Sequence, residues 1–369
     1  MSDYKFDGTY AHSPVDKMFD KKDVYGVKFD EARFNKKKIK LGIIGAGGVA
    51  QSKHIPAVNR LATIWEPVEI AAFSARNKIQ GEKISRLYGC THYINYADML
   101  ENEDLDGVIV SSGDEVHAEH TLACFEKNIP VICEKPLSRS LDEARLMVKK
   151  AEEKNLVFMT VSNKRYSPPY YRAKQLMESN ADNIFKNPAM FSGKFNLGYD
   201  YVDILEGGTV HLFDLVRYFM GDVSGLTACA VKKYDFNKTG YKFDNGVCML
   251  EFKSGAVGVL YTSTSALSLK PWERIEIYFE KAWFSVEDQR DLIIYDGEEG
   301  PAKSFSPVFP NTLMFDEEFG GFMPMILNFI ESVRGTEKPL VTGYDGMKAV
   351  ELIDAFYKSL DSGGKIIIK

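Results

Sequence analysis

Residues 41–50 read Leu41-Gly-Ile-Ile-Gly-Ala-Gly-Gly-Val-Ala50, an apolar run that passes directly into a glycine-rich turn. The run begins at Ile39, so a buried β-strand is predicted over 39–44. The periodic segment that follows, 49–61, is predicted to be a helix. A buried strand, a tight glycine turn and a helix in this order are typical of the first unit of a doubly wound α/β sheet.

Strands and helices continue to alternate to about residue 162. Predicted strands at 68–74, 107–112, 131–133 and 157–161 are separated by helical patterns, which is typical of a parallel sheet covered on both faces. After about residue 165, longer alternating runs and turn residues predict an α+β domain with a largely antiparallel open sheet.

The predicted fold class is therefore α/β. It consists of a Rossmann-type doubly wound parallel sheet followed by the α+β domain. We divide the chain into an N-terminal extension (1–38), a dinucleotide-binding domain (39–162), a substrate and oligomerisation domain (163–345), and a C-terminal helix and strand (346–369) that pack back on the core.

The composition narrows the class of protein. A chain of 369 residues with 45% hydrophobic and 27% charged residues is typical of a globular protein with more than one core. The net charge of −6 argues against nucleic acid as a partner. No apolar stretch approaches the roughly 20 residues that span a bilayer, and the N-terminus lacks an apolar signal core, so we expect a cytoplasmic protein without membrane association. Five scattered cysteines fit a reducing compartment, and no metal site is expected.

The glycine turn has the pattern Gly45-x-Gly47-x-x-Ala50. The first glycine permits the tight turn, the second lets a pyrophosphate approach the backbone, and the small third residue lets helix and strand pack closely. The helix N-terminus favours the anion. We therefore predict dinucleotide binding by residues 45–50, namely Gly45, Ala46, Gly47, Gly48, Val49 and Ala50; a purely structural turn is the alternative.

The end of the second strand bears on which dinucleotide is bound. An acidic residue there would bind a ribose 2′-hydroxyl and repel a 2′-phosphate. This strand instead ends Phe73-Ser74-Ala75-Arg76-Asn77. Ser74 and Arg76 favour NADP slightly over NAD. The alternative is that Arg76 only begins the next helix in solvent.

Two further motifs carry candidate catalytic groups. Glu134-Lys135-Pro136 follows the strand 131–133 at the carboxyl edge of the predicted sheet, where such folds bind ligands. A lysine there can polarise an oxygen or carry a proton. His211 and Asp214 are three residues apart near the start of a predicted helix and so share one face. A histidine suits removal of a hydroxyl proton.

In this order and spacing, the glycine turn, Glu134-Lys135-Pro136 and Glu206-Gly-Gly-Thr-Val-His211-Leu-Phe-Asp214 resemble the glucose-fructose oxidoreductase/inositol dehydrogenase/rhizopine-catabolism (Gfo/Idh/MocA) family, over roughly 39–369. The resemblance implies an NAD(P)-dependent oxidoreductase that transfers a hydride between nicotinamide and a secondary hydroxyl of a sugar, sugar derivative or cyclitol.

The resemblance also implies roles for single residues. Lys135, His211 and Asp214 are expected to be catalytic, and a cis peptide is expected before Pro136. The expected cofactor neighbours beyond the glycine turn are Ser74, Arg76, Ser112, His117, Glu134 and Lys135. The expected substrate-binding residues are Arg165, Tyr199 and Asp214, with a structural ion pair as the equal alternative for Arg165. The stretch 270–274, Lys-Pro-Trp-Glu-Arg, is a further candidate.

The sequence departs from the family pattern at position 207. Relatives often carry Asp or Glu four residues before the histidine, whereas this chain has Gly207. Either the neighbouring Glu206 takes over that role or the histidine lacks its usual partner. Gly113 and Asp114 likewise replace the usual Pro and Asn beside the cofactor.

Two other functions remain as alternatives, and a homo-oligomer is expected. A non-catalytic dinucleotide sensor on the same fold is one alternative, and a dihydrodiol or imine reductase is another. A homo-oligomer, dimer or tetramer, is expected because an open sheet leaves one face exposed. The aromatic-containing extension is interpreted either as a surface arm or as an arm on a partner subunit.

Overall fold

The computed structural model describes residues 36–63, 66–178, 184–196, 203–234, 241–266, 271–297, 300–307 and 320–369. The strands of the first sheet are β1 (Ile39–Ile44), β2 (Val68–Ser74), β3 (Thr91–Tyr93), β4 (Gly107–Val110), β5 (Val131–Cys133) and β6 (Phe158–Thr160). All pair in parallel, in the order β3-β2-β1-β4-β5-β6. This is the Rossmann order, and it confirms the predicted doubly wound sheet.

Helices connect these strands. They are α1 (Ile55–Thr63), α2 (Lys78–Tyr88), α3 (Tyr96–Asn102), α4 (His117–Glu126) and α5 (Leu141–Glu153). A π-helical turn, Ala50–His54, joins the glycine loop to α1. The side chains of Asn77, Asn95 and Ser140 each accept a backbone N–H at the start of the following helix, which satisfies donors that would otherwise be unpaired.

The second sheet is largely antiparallel, as predicted. Its strands are β7 (Met190–Asn196), β8 (Val223–Val231), β9 (Asn245–Phe252), β10 (Val257–Ser263), β11 (Glu273–Tyr278), β12 (Trp283–Glu287), β13 (Asp291–Tyr295), β14 (Lys303–Phe305) and β15 (Ile366–Ile367). Their order is β14-β13-β12-β11-β7-β10-β9-β8-β15, with a parallel pairing between β7 and β10. The remaining helices are α6 (Pro168–Glu178), α7 (Val210–Met220), α8 (Phe322–Arg334) and α9 (Gly343–Ser362).

One helix inside the predicted second domain, residues 163–345, packs on the first sheet instead. We assigned residues 163–345 to the second domain, but α8 packs in the core of the first sheet, where Phe329 and Met325 are buried together with Leu41. A Cβ at Gly107 in β4 would lie only 3.0 Å from the Phe329 ring. The apolar face of α8 therefore covers the parallel sheet, and residues 322–334 belong spatially to the first domain.

Helix α9 joins the two cores. Val350 is buried with the residues of the first sheet, whereas Phe356, less than two turns later, is buried with those of the second. The C-terminal strand β15 then adds to β8. Within the described ranges, no helix is long and apolar enough to cross a membrane.

Candidate active site

A cleft of about 1440 Å³ opens at the carboxyl edge of the parallel sheet. The ends of β1, β2, β4 and β5 form its floor, and the turn before α7 together with α9 forms the opposite wall. It is lined by every predicted cofactor residue except Ala50: Gly45, Ala46, Gly47, Gly48, Val49, Ser74, Arg76, Ser112, His117, Glu134 and Lys135. Ala50 is fully buried behind the turn. The topology thus brings these residues to one surface.

The glycine turn meets the needs of a pyrophosphate. Gly45 has φ +92°, and a Cβ there would lie 2.6 Å from the backbone at Ser111 and Ser112, so only glycine fits. Gly47 and Gly48, in contrast, have no atom within 4 Å of an added Cβ. The fold does not fill that space, and it leaves the backbone accessible to a ligand at the start of the helix.

The far end of the cleft carries Arg76. Its side chain is exposed, follows the buried Ser74 at the end of β2, and lines the cleft. Ser74 contributes its carbonyl, which accepts the N–H of Gly45 at 3.0 Å and holds the turn against β2. Arg76 and Ser74 therefore both border the cleft at the end of β2.

Ser112 and His117 lie beside the cleft in different environments. The Ser112 hydroxyl is 2.8 Å from His120 Nδ1. His117 is buried, and its two ring nitrogens face the carbonyls of Pro136 (2.8 Å) and Ser112 (3.2 Å). Burial alone would lower the pKa of His117, but the neighbouring Cys133 and the Pro136 carbonyl raise that pKa to about 9. The imidazole thus ties together two loops that border the cleft.

Glu134 is held by a residue that the sequence did not single out. Its Oε1 is 2.7 Å from His54 Nε2, and its Oε2 accepts the backbone N–H of Lys135 at 3.0 Å. Both His54 and Glu134 are buried. Burial alone would raise the pKa of Glu134, but the hydrogen bond from His54 and the charge of Lys135 hold that pKa below its usual value. The carboxylate is therefore ionised at neutral pH.

Lys135 links the two domains. Its Nζ donates to the carbonyl of Gly207 at 2.7 Å, in a π-helical turn (Ile204–Thr209) that leads into α7. The peptide between Lys135 and Pro136 is cis, as the resemblance implied. Burial and the nearby charge of Lys164 lower the pKa of Lys135. Gly207 stands where relatives often carry Asp or Glu, and it contributes its backbone oxygen to Lys135.

His211 is the second residue of α7 and shares with Lys135 and Asp214 a small cavity of about 10 Å³. Burial and then the charges of Lys135 and Lys164 hold the pKa of His211 well below its ordinary value. The imidazole is consequently neutral at pH 7 and able to accept a proton.

Asp214 and Arg165 require a correction. We expected Asp214 to bind substrate, and Arg165 either to bind substrate or to form a structural ion pair. The two form a buried bidentate pair, with Nε–Oδ2 at 2.8 Å and Nη2–Oδ1 at 2.7 Å. Arg165 also lies 3.2 Å from Asp345 at the start of α9. Two desolvated charges that satisfy each other have little capacity left for a ligand, so this geometry counts against direct substrate binding by either side chain. Tyr199 lies outside the described residues.

A second buried ion pair lies behind His211. Lys164 pairs with Glu273, which also accepts the Tyr170 hydroxyl at 2.7 Å. The Lys164 ammonium is 5.3 Å from the centre of the Phe195 ring, and that ring is 6.3 Å from the His211 ring. The sequence signalled part of this cluster, because Glu273 falls in the candidate stretch 270–274; Lys164 was missed beside the more conspicuous Arg165.

Glu206 lies at the mouth of the cleft and contacts a charged group of the first domain. Its Oε2 is 3.8 Å from Arg139 Nε, and Arg139 is also paired with Asp114 at 2.6 Å. Burial and the carboxylates of Asp203 and Asp114 raise the pKa of Glu206 to about 7. The side chain thus faces Arg139, whereas Gly207 beside it faces Lys135.

Among the described residues, no group of three or more His, Cys, Asp or Glu side chains is arranged to hold a metal ion.

Comparison with known proteins identifies the family to which the chain belongs. Family models described as the oxidoreductase family's NAD-binding Rossmann fold and its C-terminal alpha/beta domain match residues 39–162 and 205–368. The fold and the cleft are those of an NAD(P)-dependent oxidoreductase that acts on CH–OH groups. The chain belongs to the Gfo/Idh/MocA family, as the motifs predicted, and nothing in the comparisons favours the sensor or the dihydrodiol or imine reductase.

Several characterised proteins are similar over nearly their whole length. The chain is 27% identical to myo-inositol 2-dehydrogenase of Thermotoga maritima, over 88% of this chain and 96% of that protein. It is 24% identical to D-xylose 1-dehydrogenase (NADP(+)) 2 of Haloferax volcanii, over 88% and 98%. A solved structure of levoglucosan dehydrogenase in complex with NADH has a TM-score of 0.81 at 17% identity, covering 90% of this chain and all of that one.

Gly45 and Gly47 lie in different environments, so replacement by alanine should affect a different property at each position. Gly45→Ala should destabilise the fold by about 1 kcal/mol or more, because the Cβ meets backbone and φ is positive. Gly47→Ala should leave the free energy of unfolding nearly unchanged while weakening dinucleotide binding. Urea unfolding and titration of reduced dinucleotide fluorescence measure the two quantities. Unimpaired dinucleotide binding by a folded Gly47→Ala variant would contradict the assignment.

Proposed function

We propose that the enzyme oxidises, reversibly, a secondary hydroxyl of a sugar, sugar derivative or cyclitol, with His211 as the proton acceptor and Lys135 as the hydrogen-bond donor to the reacting oxygen. The observation that carries this proposal is the bond from Lys135 Nζ to the Gly207 carbonyl. It joins the carboxyl edge of the dinucleotide sheet to the turn from which the His211 helix begins. Lys135 lines the cleft and also shares a small cavity with His211, so acid–base groups of both domains meet at this lysine.

The residues suit this chemistry. When bound, the nicotinamide supplies the hydride acceptor. His211, whose pKa is lowered by burial and two lysines, is neutral at pH 7 and takes the hydroxyl proton. Lys135 holds a positive charge in a buried site, where it stabilises the negative charge that develops on the oxygen. Asp214 contributes indirectly by pairing with Arg165, which fixes α7 against the segment that enters the second domain.

Polar groups at the mouth of the cleft support a polyhydroxylated substrate. Asp203, Glu206, Tyr241 and Tyr357 line the cleft on the second-domain side. Carboxylates and phenolic hydroxyls offer the hydrogen bonds that several adjacent hydroxyl groups need, whereas a dihydrodiol has only two hydroxyl groups with which to use them. The relatives named for myo-inositol and D-xylose agree with this class.

For the cofactor, we propose a preference for NADP(H) over NAD(H). The cleft has the cationic Arg76 at the end of β2, where NAD-specific folds place an acid. The relatives support either dinucleotide, since one is named for NADP⁺ and another was solved with NADH.

The exposed face of the second sheet supports a homo-oligomer. Met249, Val257 and Tyr261 on the adjacent strands β9 and β10 are 62%, 51% and 43% exposed. Alternation places them on the face opposite the helices α7 and α9. A contiguous apolar surface of this kind is typical of a subunit interface.

The buried cysteines Cys90, Cys124, Cys133 and Cys248 form no disulfide, which fits the reducing environment of the cytoplasm.

Loss of either acid–base group should abolish turnover without abolishing cofactor binding. Lys135→Ala and His211→Ala should each lower kcat by about 10²- to 10⁴-fold. The measurement is reduced-nicotinamide absorbance over a panel of sugars, sugar acids, sugar phosphates and cyclitols with NAD⁺ and NADP⁺. Near-normal turnover by either variant would refute its role. A lack of wild-type turnover across the panel, despite tight dinucleotide binding, would favour the sensor.

The pH dependence should follow the two lowered pKa values. Oxidation requires neutral His211, so kcat/KM should fall as pH drops through a pKa below 6.5. It requires protonated Lys135, so kcat/KM should fall again as pH rises through a pKa below 10.5. Replacing the buried pair, Lys164→Met with Glu273→Gln, should move the acid limb to higher pH, because Lys164 is one of the two cations that lower the pKa of His211. An unmoved limb would show that Lys164 does not act on His211.

Arg76→Ala should weaken NADP(H) binding about tenfold or more while changing NAD(H) binding little, because only NADP(H) carries the 2′-phosphate. Fluorescence titration with both reduced dinucleotides measures this. The control is Lys78→Ala, the next cation along the chain, which lies outside the residues lining the cleft. Equal losses for both dinucleotides in Arg76→Ala would rule out the preference.

The sheet interface should be sensitive to charge. Met249→Glu combined with Val257→Glu should reduce the oligomer to smaller species, because two carboxylates would be buried unpaired in the interface. Light scattering after size exclusion measures the mass. Leu146→Glu, at an exposed apolar position of α5, is the matched control. A wild-type monomer, or an oligomer that survives the double substitution, would exclude this face as the interface.

A further inference from the structure

His54 is buried and contacts a residue of the cofactor cleft. It ends the π-helical turn that follows the glycine loop, is 0% exposed, and lies 80 positions before its partner Glu134. The distance from Nε2 to Oε1 is 2.7 Å. Because the Glu134 carboxylate is ionised and only accepts, His54 Nε2 carries the proton and donates it to this bond.

The other ring nitrogen of His54 adds a second observation. Nδ1 is buried and has no hydrogen-bond partner in the part of the chain that the structure describes. The ring edge instead packs against Phe322 of α8, with 5.5 Å between ring centres and an angle of 78°. A buried polar atom without a partner costs stability. An apolar side chain at position 54 would avoid the cost of the unpaired Nδ1. The bond from Nε2 to Glu134 is what a histidine adds at this position.

Glu134 is constrained from two sides. Oε1 receives His54 and Oε2 receives the backbone N–H of Lys135, so the carboxylate is fixed in one orientation at the floor of the cleft. Each oxygen retains a further lone pair. A carboxylate held in this way at the floor of the cleft is able to accept hydrogen bonds from hydroxyl groups of a dinucleotide.

We propose that His54 is a positioning residue that fixes the Glu134 carboxylate for binding of the dinucleotide, and so couples the glycine loop to the lysine loop. This inference rests on the proposed function of the cleft. His54 lies in the same helical segment as the turn that meets the pyrophosphate, and Glu134 precedes the lysine that meets the substrate. One buried bond thereby sets the distance between the two ends of the cofactor site.

The test compares His54→Gln with His54→Asn. Both introduce a neutral amide of similar polarity, but only glutamine is long enough to place an N–H near the position of Nε2. His54→Asn should weaken binding of reduced dinucleotide about tenfold, the usual effect of leaving a buried charged acceptor without its donor. His54→Gln should restore most of the affinity. Thermal unfolding of both variants shows whether each is folded.

A double-mutant cycle with Glu134→Gln separates positioning from general destabilisation. If His54 acts through Glu134, adding His54→Asn to Glu134→Gln should cause little further loss of affinity. Full additivity, or wild-type affinity in a folded His54→Asn variant, would overturn the proposal. Binding of dinucleotide by the wild-type protein tests the proposed function independently: failure there removes the cofactor site itself, whereas failure of the cycle alone removes only the role of His54.

Discussion

The approach of β1 to β4 at Gly45 is the constraint on which the site depends. A side chain at this position would meet the backbone of Ser111 and Ser112 at 2.6 Å, so the two strand ends lie as close as a main chain without Cβ allows. That contact turns the chain away from the sheet into the helix. It also leaves the space above Gly47 open. The tightness below the turn and the space above it have one cause, and together they produce an anion site.

A second constraint sets the electrostatics of the chemistry. Besides burial, the charges of two buried cations, Lys135 and Lys164, lower the pKa of His211. In many acid–base pairs a carboxylate raises the basicity of the histidine. Here the cations lower it, which favours the neutral imidazole over a wide pH range. The cost is a weaker base, and Lys135 offsets that cost by stabilising the oxygen from which the proton leaves.

The sequence predicted the parts of this structure that depend on local pattern. The doubly wound parallel sheet and the largely antiparallel second sheet follow from hydrophobic periodicity, and these two predictions are confirmed. The placement of α8 was missed, because an amphipathic helix does not specify which of two sheets it covers. Its partner strands lie more than 200 residues earlier in the chain, and only the folded structure brings Phe329 to Gly107.

Side-chain partners were the least predictable feature. Arg165 and Asp214 have the residue types of a substrate site, but the fold brings them together and their charges satisfy each other. His54 and Lys164 lacked any motif of their own, and each acquires its significance from a partner at least 80 positions away. Spacing along one helix can place two groups on one face; it cannot show which distant charge will face them. At such a site a residue type indicates what chemistry is possible, and the tertiary partner decides whether that chemistry is used for catalysis or for holding the fold together.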